Sequence, residues 1–137
     1  MSAVKELIRS TGKGALNFGD HTLAAKAKKE DFEHKGDLYK VKTFNEITKL
    51  EKNGLFVYES VPGTSVNDFV ETGDGITCLV EGDKDAQITL GLADDSEYEI
   101  FVGGKPVGKM KTNLGGKLSL SMELANEGEV ELKVKKV

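Results

Sequence analysis

From Lys117 to Leu124 the chain reads KLSLSMEL, polar and apolar residues in strict turn. In an extended strand this period of two sends Leu118, Leu120, Met122 and Leu124 to one side and Lys117, Ser119, Ser121 and Glu123 to the other. Val130, Leu132 and Val134 alternate likewise with Glu129, Glu131, Lys133 and Lys135, and Ile88, Leu90 and Leu92 oppose Gln87 and Thr89. One dry and one wet face per strand is the pattern of antiparallel sheets packed through a single side.

The same texture runs back to Leu55. LFVYES, SVNDFVET, ITCLVEG, AQITLGL, EYEIFV and PVGKMKT precede KLSLSMEL and EVELKVKK, and most are bounded by Gly, Asp or Asn, the punctuation of strands and turns. Val61-Pro62-Gly63 reads as a turn in which proline presets φ and Gly63 accepts a positive value. The fold expected is all-β and mainly antiparallel: an immunoglobulin-like β-sandwich over residues 55–137, joined to a small β-rich N-terminal subdomain over residues 1–54. Tyr98 shares a face with Ile100 and Val102, and Cys78 with Ile76 and Val80, which makes both core residues and Cys78 a structural thiol. LFVYES is apolar on both faces and is expected to be covered on both sides, where the N-terminal part meets the sandwich.

The first 54 residues carry mixed signals. GALNF and HTLAA read as short strands around Gly19-Asp20, and DLYKVKTF as a third that puts Tyr39 beside Val41. AAKAKKEDFEHKG suits a helical turn or two ending at Gly36. In TFNEITKLEKNG, Thr43 with Glu46 forms a capping box, and Phe44, Ile47 and Leu50 recur at helical spacing. Asn53-Gly54 between two candidate strands is equally a hairpin turn. The reading leans to a short helix, with the hairpin arm as its alternative.

GGKPVGKM, Gly103 to Met110, is one residue short of a phosphate-binding loop. The final Ser or Thr, whose hydroxyl would hold magnesium, is replaced by Met110, and the residues that follow alternate as a strand. Gly103-Gly104 is therefore expected to be a turn leading into a strand near Pro106.

Charge narrows the partners. The net charge is −4, and Arg9 is the only arginine beside 18 lysines. Nucleic-acid readers depend on arginine forks that lysine does not reproduce, so no nucleic-acid role is expected. Residues 1–54 carry 11 basic and 8 acidic side chains, whereas residues 55–137 carry 8 and 15. A single cysteine precludes an internal disulfide. There is no long apolar run and no visible signal peptide, so the expected location is the cytoplasm, away from membranes.

Candidate chemistry is sparse. His21 and His34 are the only histidines, and neither shows metal-ligand spacing with Cys78. Asp83 and Asp85, and Asp94 and Asp95, form acidic turns of the kind that bind calcium in β-sandwich loops. They are the metal candidates, and no cofactor is expected. Phe101 lies on the face of Glu97 and Glu99; it is the ligand-binding candidate if exposed, although packing beneath the N-terminal segment is the favoured reading.

SEYEIFVGGKPVGK, GGKLSLSMEL and EVELKVKK resemble accessory sandwiches of immunoglobulin-like and fibronectin type III-like kind. DFEHKGDLYKVKTFNEITKLEKNGLFVYESVPGT is similar to a group of small uncharacterised bacterial proteins, some labelled endosialidase, and this resemblance runs over nearly the whole chain. It implies an association with glycan-handling assemblies. It does not carry over a catalytic site: sialidases clamp the sugar carboxylate with several arginines and repeat S-x-D-x-G-x-x-W, and this chain has Arg9 alone and no such repeat. The function expected is a non-catalytic module for protein assembly, with itself or another protein. The alternative is a carbohydrate-binding module, with calcium as a potential aid.

Overall fold

The computed structural model describes residues 3–137. They form β1 (Ile8–Ser10), β2 (Leu16–Phe18), β3 (Ala27–His34), β4 (Asp37–Thr43), β5 (Thr48–Lys52), β6 (Leu55–Val61), β7 (Ser65–Thr72), β8 (Gly75–Glu81), β9 (Ala86–Gly91), β10 (Glu97–Val102), β11 (Lys105–Lys111), β12 (Lys117–Met122) and β13 (Val130–Lys136). The first sheet has seven strands in the order β1-β2-β7-β8-β13-β10-β11, and the second has six in the order β12-β9-β6-β5-β4-β3. Every pairing is antiparallel. The protein is an all-β sandwich of two antiparallel sheets.

The alternating strands explain the core. Leu118, Leu120, Met122, Leu132, Val134, Ile88 and Leu90 are all buried, and their polar neighbours face out. Tyr98, Tyr39, Val41 and Cys78 are buried with them. Strands from both halves of the chain interleave: β2 pairs with β7 and β5 with β6. Phe18 meets Tyr58 and Phe69 edge-on, with ring centroids 5.3 and 5.4 Å apart, so one core spans residues 1–54 and 55–137.

The N-terminal part departs from several expectations. No helix occurs among the described residues. Thr43 and Thr48 end and begin paired strands, and their hydroxyls lie 2.8 Å apart in the interior instead of capping a helix. AAKAKKEDFEHKG supplies β3, which carries a bulge between Lys29 and Phe32 with Asp31 at φ 56°. A helix there would have no apolar stripe to bury. HTLAA is not a strand; Asp20 Oδ1 accepts the Thr22 amide at 3.0 Å and turns the chain.

Three details further on also differ. A register shift between β5 and β6 places Val57 opposite no single partner, so Val57 and Tyr58 both reach the core while Leu55 stays exposed. LFVYES is thus bulged rather than covered on both faces. The Val61–Pro62 peptide is cis, and Gly63 has no positive φ; it is needed because a Cβ there would collide with the Phe44 carbonyl. Phe101 is half-buried under its own sheet neighbours, opposite Pro106 and Lys133, with the Lys133 ammonium 5.9 Å from its ring centroid. The N-terminal strands lie at the opposite end of that sheet.

Candidate functional site

A sandwich has two sides where its sheets end, and in this one they differ. At the first, β1 and β3 come together: Ser10 Oγ is 2.8 Å from His34 Nδ1, and Phe32 packs on the core. His34 also meets Tyr39 edge-on at 5.9 Å. At the second, β11 overhangs β12. All seven residues of β11 are exposed, with Val107 at 60 % and Met110 at 39 %. Behind them runs an open groove of about 580 Å³ floored by Ile100, Val102, Leu120 and Val130. Lys105 stands at its rim on one wall, and Glu123 and Glu127 on the other.

Local sequence explains this edge. Gly103 and Gly104 take φ values of 60° and 83°, which closes the tight turn from β10 into β11. The near P-loop is therefore a hairpin, with no helix to cradle a phosphate. Pro106 and Gly108 then break the alternation, and the ladder shifts register between Ile100 and Phe101. Proline, glycine, lysine and a bulge are the devices by which free sheet edges avoid pairing with one another.

A second cluster gathers residue types that look catalytic. His21 Nδ1 lies 2.7 Å from Ser65 Oγ, and His21 Nε2 lies 3.5 Å from Asp83 Oδ1. The geometry opposes acyl transfer. Ser65 has no exposed surface, and its hydroxyl oxygen already accepts the His21 backbone amide at 3.3 Å. Asp83 is 79 % exposed at the other end of the ring. A nucleophile must face a substrate carbonyl and an acid must hold the base from behind; here the serine points inward and the acid toward water.

Beside this cluster is a buried hydroxyl network. Thr48 Oγ1 donates to the Thr64 carbonyl (2.7 Å) and accepts the Thr64 amide (3.1 Å). Its single proton is thereby used, so the Thr43 hydroxyl donates to it, while Thr43 Oγ1 accepts the Asp20 amide at 3.0 Å. Thr64 Oγ1 meets Tyr58 Oη and Ser60 Oγ, each at 2.8 Å. Burial pushes the Tyr58 phenol well above its usual range. Every bond serves the fold, and no buried side-chain polar atom among the described residues lacks a partner.

The acidic candidates are placed separately. Asp85 Oδ1 accepts the Leu124 and Ala125 amides at 3.0 and 3.2 Å, and Asp95 pairs with Lys111 at 3.1 Å. Asp94 lines a different groove, of about 640 Å³, at the end of the sandwich with Leu55, Phe56 and Lys117. There the Lys117 ammonium sits 4.7 Å from the Phe56 ring centroid. Among the described residues no three His, Cys, Asp or Glu side chains come close enough to hold a metal ion.

Sequence reasoning missed Val107, Met110, Lys109 and Lys111 as edge residues, and missed Phe56. The signal for the first four was local: proline, glycine and three lysines in seven residues mark an edge strand. What defines the molecule is a two-sheet antiparallel sandwich with one bridged and one open side. Comparison with known proteins adds no relative, since no family model, curated protein or solved structure matches the chain.

Proposed function

We propose that this protein is a non-catalytic interaction module whose open side, between β11 and β12, receives an extended segment of another protein. The observation that carries the reading is the contrast between the two sides. One is bridged by the Ser10–His34 hydrogen bond between β1 and β3, while the other leaves a whole strand exposed over an apolar floor. A free edge supplies main-chain hydrogen bonds to an added strand, and the groove behind it supplies pockets for alternate side chains. An immunoglobulin-like character fits this use, because such sandwiches commonly serve as accessory modules.

Selection of binders from a random peptide library against the folded protein tests this. The expected result is a set of peptides that protect the amides of β11 from hydrogen exchange and lose binding in Val107→Lys/Met110→Lys. Enrichment of peptides that bind elsewhere, or of none, overturns it. A carbohydrate-binding role has one observation in its favour, the end groove with Phe56 and Lys117. Specific binding on a glycan panel that disappears in Phe56→Ala would replace the first reading with this one.

A further inference from the structure

We infer that the segment taken up at β11 is a strand of another protein in which acidic and apolar residues alternate, and not the β11 of a second copy of this chain. The inference rests on the edge reading above and adds the chemistry of the partner. It follows from how the ladder ends. The Thr112 amide donates to the Ser96 carbonyl at 2.8 Å, and the Val137 amide donates to the Glu97 carbonyl at 2.9 Å, so the main chain of Glu97 bonds away from β11. In an antiparallel ladder the hydrogen-bonded pairs alternate. With Glu97 opposite Lys111 and Glu99 opposite Lys109, the amides and carbonyls of Lys109 and Lys111 face outward. They are the free hydrogen-bonding groups of the edge.

Side chains set what can join them. On the outer face one row runs Lys135, Glu99, Lys109 across β13, β10 and β11, and beside it Glu97 stands opposite Lys111. Charge alternates from strand to strand, and a carboxylate in the next strand continues the order. Lys111 also pairs with Asp95, which leaves the exposed Lys109 as the stronger attractor. On the inner face the rows run Val134, Ile100, Gly108 and Lys136, Tyr98, Met110. Gly108 has no heavy atom within 4 Å of where a Cβ would stand, so the groove above Ile100 accepts a large apolar side chain from the neighbour.

β10 has this pattern already: EYEI presents Glu97 and Glu99 to lysines and Tyr98 and Ile100 to the core. A second copy of β11 does not. An antiparallel self-pair centred on Lys109 or on Met110 sets lysine against lysine on the outer face, and directly opposed like charges destabilise a ladder.

The test is fluorescence anisotropy of a synthetic peptide with the sequence SEYEIFVG, against versions with both glutamates replaced by Gln or by Lys. Expected are saturable binding of the glutamate peptide, binding at least about tenfold weaker for the lysine peptide, and weakening of the former as salt rises. Hydrogen exchange should slow at the Lys109 and Lys111 amides. In Lys109→Gln/Lys111→Gln, confirmed folded by circular dichroism, the preference should fall to within about twofold. Equal binding of all three peptides, with β11 protected, overturns the acidic-partner inference and leaves the edge reading standing. No binding by any of the three overturns the inference, and a library that also yields no β11 binder overturns the edge reading. Self-association through β11 would overturn the choice of a different protein.

Discussion

At the scale of single residues, the buried side-chain polar atoms among the described residues all have hydrogen-bond partners. Thr48 Oγ1 serves three partners at once. Thr48→Val keeps the shape but leaves the Thr64 amide and carbonyl and the Thr43 hydroxyl without it. The expected loss is about 1–3 kcal/mol, read from urea unfolding, with Thr48→Ser recovering most of it. Cys78 gives a pH-dependent counterpart. Burial, with Glu131 adding to it, pushes the thiol from 9.0 up to about 12. Because the folded value is the higher one, the stabilisation is complete below about pH 9 and is lost as pH rises toward 12. Native protein at pH 8 should resist thiol reagents and react only after unfolding. Full labelling of the folded protein within minutes would contradict the burial.

At the scale of elements, the strands most legible in the sequence were those with one buried face. All eight runs from Leu55 onward emerged as strands; in most of them period-two alternation is a direct image of one-sided burial, whereas β6 is bulged and β11 is exposed throughout. The N-terminal segments were harder to read, since what decides them is not local. Phe44, Ile47 and Leu50 keep helical spacing, but Leu50 is buried opposite Tyr58 in the next strand and Thr48 is tied to Thr64, beyond any helical turn. Bulges at Asp31 and Val57 also shift the alternation partway through a strand, so periodicity fails where twist is introduced. The groove was illegible for a related reason: proline, glycine and lysines mark β11 as an edge, but which strand of the other sheet faces it is a property of strand order. Gly63 provides an element-scale check. Gly63→Ala drives a methyl into the Phe44 carbonyl between β4 and β5 and should cost at least about 2 kcal/mol in thermal unfolding. At the exposed edge, Val107→Lys/Met110→Lys should change stability by no more than about 0.5 kcal/mol.

At the scale of the whole molecule, the two halves of the chain contribute to both sheets, and this bears on how the protein unfolds. β7 needs β2 and β6 needs β5, and Phe18, Val41 and Leu50 fill the space between the sheets. Residues 55–137 produced alone should therefore lack a dispersed amide spectrum, whereas the full chain should unfold in one cooperative step. A folded 55–137 fragment would show that the second half is an autonomous unit.

The unequal sides have a consequence for stoichiometry. On the proposed reading, β11 offers one docking surface, and it is not complementary to itself, since a second β11 centred on Lys109 or Met110 opposes lysine to lysine. A body with one such acceptor has a valence of one toward its partner. It ends an assembly rather than propagating it, so its complexes would stay discrete at any concentration, where a module with two open sides would grow into fibres.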